Sequence, residues 1–321
     1  MHRAILTSPG GAVWASGPIL FLGVIPYDEF GLFSENAAEY NLPYPGPPSV
    51  RRVDVEVSPG RKVSSLMWGT SPPELVLVHG GAQNAHTWDT VALALDRPLL
   101  AIDLPGHGHS DGGPDGSLSV TSNGADLARV IAELAPHAVG VVGMSLGGLS
   151  SIALAAHAPE LVRSLVLVDV TPGVNQEKAA PITSFIDGPS SFADFDELLA
   201  RTIEHNPSRT EASLRRGILH NAVQREDGSW VWRYARFRTG AAGQRPEFGD
   251  WWGAISNLTV PLMLVRGLAW SVVSDEDVEE LLRRQPSCTV VGVEGAGHSI
   301  QGDRPLELTA ILSDFLFSPA E

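Results

Sequence analysis

The chain has 321 residues, 43% hydrophobic and 18% charged, a composition that buries a full core rather than staying solvated and disordered. Its 22 basic and 37 acidic residues leave −15 at pH 7, the wrong sign for a surface that tracks phosphates, so nucleic acid is not an expected partner. The lone cysteine, Cys288, excludes a disulfide framework or a cysteine-based metal cluster within the chain and reads as a small buried hydrophobe.

No stretch of 18 or more apolar residues free of charge and proline occurs, so no membrane-spanning helix is expected and the chain reads as cytoplasmic. The run 11–25 faintly resembles the apolar region of an export signal, but Pro18 interrupts it and no clean small-residue cleavage site follows. Apolar spacing over 27–40 is compatible with a short helix, and Pro43, Pro45, Pro47 and Pro48 then forbid regular structure. Residues 1–49 are therefore expected to be a partly irregular N-terminal extension, with the domain beginning near Val50.

From there strand-like and helix-like segments alternate. Residues 50–57 and 62–68 read as a hairpin around Pro59-Gly60. Apolar runs follow at 75–78, 99–102, 139–142, 165–170, 261–265 and 289–293, the pattern of parallel strands covered on both faces. Helical patterns fall between and after them at 123–134, 148–157, 275–284 and 305–317. Strand and helix in repeated alternation predict an α/β fold with a mostly parallel sheet. The alternation lapses over 172–253, which reads as a mainly helical cap inserted between core segments 50–171 and 254–321. Between Arg201 and Arg245 stand nine arginines against four acidic residues, so cap and body carry opposite net charge.

The sharpest local signal is Gly143-Met144-Ser145-Leu146-Gly147, a G-x-S-x-G between an apolar strand and a helical pattern. A serine on a tight strand-to-helix turn needs small residues two positions to either side, because a Cβ there would strike neighbouring backbone. The turn also sets Ser145 at a helix N-terminus, where N–H groups favour developing negative charge. His79-Gly80-Gly81 directly follows the run 75–78, where a second oxyanion donor is expected, so Gly81 and Leu146 form the candidate N–H pair. His79 itself reads as a histidine that shapes the loop. Pairing His79 with His86, or His107 with His109, fits no metal-site spacing, and neither metal nor cofactor is expected. His298, in Gly295-Ala296-Gly297-His298-Ser299, lies past the last strand and before the final helix, the place for a general base that follows its serine in chain order.

With these residues in place the chain resembles the α/β-hydrolase superfamily from about Val53 to Phe317. Asp103-Leu104-Pro105-Gly106-His107-Gly108-His109-Ser110, His86-Thr87-Trp88 and Leu167-Val168-Asp169-Val170-Thr171-Pro172 add to the resemblance. It is similar to small bacterial esterases of the YbfF type and a related mycobacterial ester hydrolase. The resemblance implies a serine hydrolase acting on small to medium carboxylic esters through a Ser-His-Asp triad, with a carbon–carbon bond hydrolase or a non-catalytic receptor as alternatives. In most of the superfamily the acid follows the strand ending here at Arg266-Gly267, but the sequence then reads Leu268-Ala269-Trp270-Ser271, with serine in the aspartate's place. Asp275 lies four residues on and reads better as a first-turn helix acid. The esterases in question carry their acid after the preceding strand, which implies Asp169. Trp270 occupies the position of their supporting serine, and Ser271 is the neighbouring candidate for that duty.

Substrate choice is expected from the cap, which offers Trp230, Trp232, Tyr234, Phe237, Trp251 and Trp252 as pocket walls, with half of them expected in the cap's own core. Arg233, Arg236 and Arg238 interleave with Tyr234 and Phe237 and read as a solvated or salt-bridged surface. The sequence does not indicate an oligomeric state.

Overall fold

The computed structural model describes residues 25–113, 119–173, 176–235 and 251–318. Its strands are β1 (Val50–Ser58), β2 (Arg61–Trp68), β3 (Leu75–Val78), β4 (Leu99–Ile102), β5 (Gly140–Met144), β6 (Leu165–Val168), β7 (Ser191–Phe192), β8 (Ala222–Gln224), β9 (Trp230–Trp232), β10 (Leu262–Gly267) and β11 (Thr289–Val293). Its helices are α1 (Phe33–Glu39), α2 (Asp89–Leu95), α3 (Val120–Leu134), α4 (Leu146–His157), α5 (Gln176–Ile186), α6 (Phe195–His205), α7 (Glu211–Asn221), α8 (Trp251–Ser256), α9 (Asp275–Arg284), α10 (Ile300–Asp303) and α11 (Pro305–Phe317).

Eight strands form one sheet in the order β1-β2-β4-β3-β5-β6-β10-β11. The β1–β2 hairpin joins antiparallel to β4, and all remaining pairs are parallel. The central strands β3, β4, β5 and β6 are buried throughout and carry only apolar residues and glycine, because each face is covered and alternate residues serve opposite cores. Val76, Val78, Leu100 and Ile102 pack with Leu127 and Ile131 of α3 and Ile152 of α4. Leu75, Leu77, Leu99 and Ala101 pack on the other face with Trp88, Val91 of α2 and Leu308 and Leu312 of α11. The sandwiched parallel sheet expected from the apolar runs is the observed architecture.

Two departures from the sequence-based expectation concern boundaries. Residues from Ile25 onward, expected as a partly irregular extension, form α1 and pack into the folded unit. Phe33 of α1 is buried in the α2/α11 core with its ring 4.8 Å from that of Trp68. Arg52 of β1 meets Glu29 through Nε at 2.8 Å. Ile25, Tyr27 and Leu32 also pack against the small core of the cap, and Thr210 and Arg216 from the cap both bond Glu39. The segment thus straps cap to body, and the folded unit starts ahead of Val50. The run 11–24 lies outside the described residues.

Among its described residues the cap is mainly helical, as expected, and adds a small sheet. β7, β9 and β8 form a three-stranded antiparallel sheet, and α6 and α7 pack with it around Phe192, Phe195, Leu198, Ile218 and Trp230. Strands of two or three residues carry too little periodicity to register in sequence. The body also resumes earlier than residue 254: Trp251 opens α8 and is buried in the core beneath α4, with Trp252 packed alongside. Those two rings therefore serve the body. No described helix is long and apolar enough to cross a membrane.

Candidate active site

β5 and β6 are adjacent and parallel, with Met144 paired to Val168, so the residues following them emerge side by side at the strands' C-terminal ends. Those residues are Ser145 and Asp169, and both hold left-handed backbone, φ 50° and 48°. A non-glycine residue pays roughly 1 kcal/mol or more there, a cost that persists only where surrounding contacts enforce it. At Ser145 they do. A Cβ on Gly143 would lie 2.6 Å from the Gly147 carbonyl oxygen and the Gly148 Cα, and one on Gly147 would strike the carbonyl oxygens of Val78 and His79. The small residues at these positions are thus required by close backbone approach. Ser145 stays partly exposed while both of its neighbours in sequence are buried. Leu146 is the first residue of α4, so its N–H has no partner within the helix.

The loop after β3 lies against the same turn, since a Cβ on Gly80 would sit 3.3 Å from that of Ser145. Buried His79 orients it. Its Nε2 accepts from the Leu104 N–H at 2.9 Å, which leaves the proton on Nδ1 to donate to the Gly80 carbonyl at 2.7 Å. Burial holds the ring's pKa below the ordinary histidine range and favours this neutral form. A trans peptide points its N–H opposite to its carbonyl. Fixing the Gly80 carbonyl therefore fixes the direction of the Gly81 N–H.

His298, on the loop between β11 and α10, is buried, and its Nδ1 lies 2.8 Å from Asp169 Oδ2. Asp169 is wholly buried and accepts three further hydrogen bonds: from Gly267 N–H at 3.0 Å and Ser271 Oγ at 2.5 Å on Oδ1, and from Val272 N–H at 3.2 Å on Oδ2. Ser271 Oγ also accepts from the Val273 N–H at 3.0 Å, which sets the hydroxyl toward the carboxylate. Trp270 stands edge-on to the His298 ring, centroids 6.0 Å apart. Asp275 is elsewhere: its side chain is 84% exposed and pairs with Arg266 at the surface, at 2.5 Å. A concavity of about 400 Å³ borders this loop, lined by Lys178, Arg266, Gly267, Leu268, Trp270, Ser271 and Asp275. Ser145, Gly81 and Leu146 do not line it.

Of the aromatic cap residues, Trp230 is in the cap core, and Trp232 packs against that core while stacking on Tyr234 at 5.5 Å. Tyr234 in turn approaches His107, whose Nε2 accepts from the Ala82 N–H at 3.1 Å. Arg236, Phe237, Arg238 and Arg245 lie outside the described residues.

A further buried cluster is invisible in the sequence, because its members come from distant segments. The rings of His86 and His220 stack at 3.8 Å with 11° between their planes. Asp89 Oδ2 lies 2.9 Å from His86 Nδ1 and 3.7 Å from His220 Nε2, Glu29 accepts at His86 Nε2 and Tyr27 meets His220 Nδ1. Of these, His86, Asp89 and His220 could each offer a metal one ligand atom. Near-parallel rings direct their lone pairs into separate planes, so one ion at an ordinary bond length of about 2.1 Å could not meet both without ring rotation. The arrangement instead favours a single positive charge, on His86 rather than His220. Burial opposes charge on His86, but Asp89 and Glu29 outweigh it and push His86 up to about 9, while burial and the His86 charge keep His220 well below the usual range. A folded-state pKa above the unfolded value of about 6.5 stabilises fully below pH 6.5, and that contribution is lost as pH rises toward 9. Melting temperature is expected to fall between pH 6.5 and 9 in the native chain and to stay flatter over that interval in His86→Gln, as followed by circular dichroism.

Comparison with known proteins closes the question of kinship. The model of the alpha/beta hydrolase family matches residues 75–311. The chain belongs to that family. It is 44% identical over 299 residues to esterase Rv0045c of Mycobacterium tuberculosis, covering 90% of this chain and 96% of that one. The crystal structure of that esterase superposes with a TM-score of 0.81 over 92% of this chain and all of the other, at 43% identity. The 2-(acetamidomethylene)succinate hydrolase of Mesorhizobium japonicum is 29% identical over 272 residues, 83% of this chain and 94% of its own.

Proposed function

We propose that this α/β-hydrolase is a serine carboxylesterase that cleaves small to medium esters through an acyl-enzyme. The observation that carries the reading is the 2.8 Å contact between His298 Nδ1 and Asp169 Oδ2, at the strand ends where Ser145 stands on its left-handed turn. The 44% identical esterase supports an ester as the substrate class.

In this mechanism the Asp169 carboxylate accepts the Nδ1–H of His298, which leaves Nε2 as the base, and Ser271 keeps Asp169 oriented. His298 takes the Ser145 Oγ proton as Oγ attacks the ester carbonyl. Charge developing on the carbonyl oxygen is met by the Gly81 and Leu146 N–H groups, and losing one such donor typically costs about 3 kcal/mol. His298 then protonates the departing alcohol, the carbon–oxygen bond to it breaks, and a water activated by the same imidazole releases the acid and restores Ser145. Asp275 has no part in the sequence of steps. No step calls on a cofactor.

Turnover of 4-nitrophenyl esters from acetate to decanoate tests the reading. Hydrolysis strongest in the short and middle members is expected. Absence of hydrolysis across the series, in protein that is folded and monodisperse, would refute it.

A further inference from the structure

Residue Asn221 sits at the C-terminal end of cap helix α7, yet its side chain reaches into the body. Its Nδ2 donates to the Ala82 carbonyl at 2.7 Å, and its Oδ1 accepts from Asn84 Nδ2 at 3.2 Å. Asn84 Nδ2 also donates to the His220 carbonyl at 3.0 Å, so the last turn of α7 is clasped to the loop that bears Gly81. The end of α7 is itself held, because its final carbonyl, that of Asn221, accepts the Arg233 N–H at 2.8 Å as the chain leaves β9.

Ala82 follows the candidate oxyanion donor and has φ 58°, a left-handed conformation that alanine adopts only under constraint. Two contacts provide that constraint from either side: His107 Nε2 takes the Ala82 N–H, and Asn221 takes the Ala82 carbonyl. The peptides before and after Ala82 are thereby both fixed. One of these contacts comes from the body, and the other from the cap.

We infer that Asn221 is a positioning residue, through which the cap holds Ala82 in its left-handed conformation and so keeps the loop that bears Gly81, whose N–H direction His79 sets, in place at the developing oxyanion. This rests on the esterase reading above and deepens it, since it makes transition-state stabilisation depend on where α7 lies. Asn221 touches no reacting atom. Its loss acts on the charged intermediate rather than on ground-state ester binding, so the effect falls on kcat and not on KM.

The test compares the native chain, Asn221→Ala, Asn221→Asp and the double variant Asn221→Ala with Ala82→Gly, each normalised to the serine titrated by a fluorophosphonate probe. Normalisation removes any misfolded fraction. Both single variants lose the donor and should lose about 10- to 30-fold in kcat per titrated site with KM unchanged, short of the about 100- to 1,000-fold that follows outright loss of an oxyanion donor. Affinity for a trifluoromethyl ketone, which forms a tetrahedral oxyanion adduct, should fall in parallel. Glycine adopts a positive φ without penalty, so Ala82→Gly should restore much of kcat in the Asn221→Ala background. Unchanged kcat per titrated site, a change confined to KM, or a loss that Ala82→Gly does not lessen would overturn the inference while leaving the esterase reading intact. Failure of the probe to label Ser145 in the native chain would instead overturn both.

Discussion

Ser145→Ala and His298→Ala are each expected to lower kcat for 4-nitrophenyl butyrate by about 10⁶-fold, and the double variant should be scarcely worse than either alone. The nucleophile and its base act as one unit, so removing either removes covalent catalysis and the second loss has little left to take. A residual rate of about 10³- to 10⁴-fold over water should survive, because Gly81 and Leu146 supply their donors from backbone and no side-chain replacement deletes them. Stability should fall in His298→Ala and stay near the native value in Ser145→Ala. Alanine at 145 keeps a left-handed turn that costs it no less than serine and opens no buried void, whereas alanine at 298 strips the buried Asp169 carboxylate of one of its four hydrogen-bond donors. A buried acceptor left short of a partner costs about 1–3 kcal/mol, so thermal melts should separate His298→Ala from both Ser145→Ala and the native chain.

Asp169→Asn is expected to reduce kcat by about 10⁴-fold, and Asp275→Asn to leave it within about twofold. The contrast follows from surroundings. Asp169 is wholly buried, with donors converging on both oxygens, and an asparagine there must turn its NH₂ toward N–H or O–H donors whichever way the amide faces. With its NH₂ on the side of the two donors to Oδ1 the buried Gly267 and Ser271 groups lose their acceptor, and with it on the other side the imidazole loses the acceptor that fixes its tautomer. Asp275 is exposed and paired with Arg266 where water screens the pair, so its charge has little influence on the buried site. Steady-state kinetics with equal amounts of titrated enzyme reads both outcomes. Loss of activity in Asp275→Asn with retention in Asp169→Asn would reverse the assignment of the acid.

Much of the candidate site was legible because its residues obey local rules. The G-x-S-x-G turn is dictated by backbone contacts within a few residues, as the clash positions at Gly143 and Gly147 show, so the sequence carries it in one pentapeptide. The body's strands were legible for a related reason: burial on both faces leaves uninterrupted apolar runs, and 75–78, 99–102 and 289–293 match β3, β4 and β11 residue for residue. The acid was harder. Sequence offered two carboxylates, and the choice between them rested on resemblance, since the contacts converging on Asp169 come from β10's end and from a loop about a hundred residues away.

What escaped the sequence depends on pairs of distant segments. The strap formed by 25–40 reads as part of an extension because four prolines separate it from the sheet, and nothing local says that Phe33 meets Trp68 or that Glu39 meets Arg216. Trp251 and Trp252 were indistinguishable by composition from the cap tryptophans, yet they lie under α4. The stacked histidines and the reach of Asn221 to Ala82 join the body's loop to the far end of α7, and no short-range pattern announces either.

The central claim is that Ser145 becomes covalently acylated by way of His298. Acid quench of the enzyme during turnover of 4-nitrophenyl butyrate, followed by peptide mass spectrometry, tests it most directly. The account predicts a butyryl group on the peptide holding Ser145, localised to that side chain by fragmentation and absent from His298→Ala. A butyryl group on any other residue, or turnover with no acylated peptide when acylation is made faster than deacylation, would contradict it.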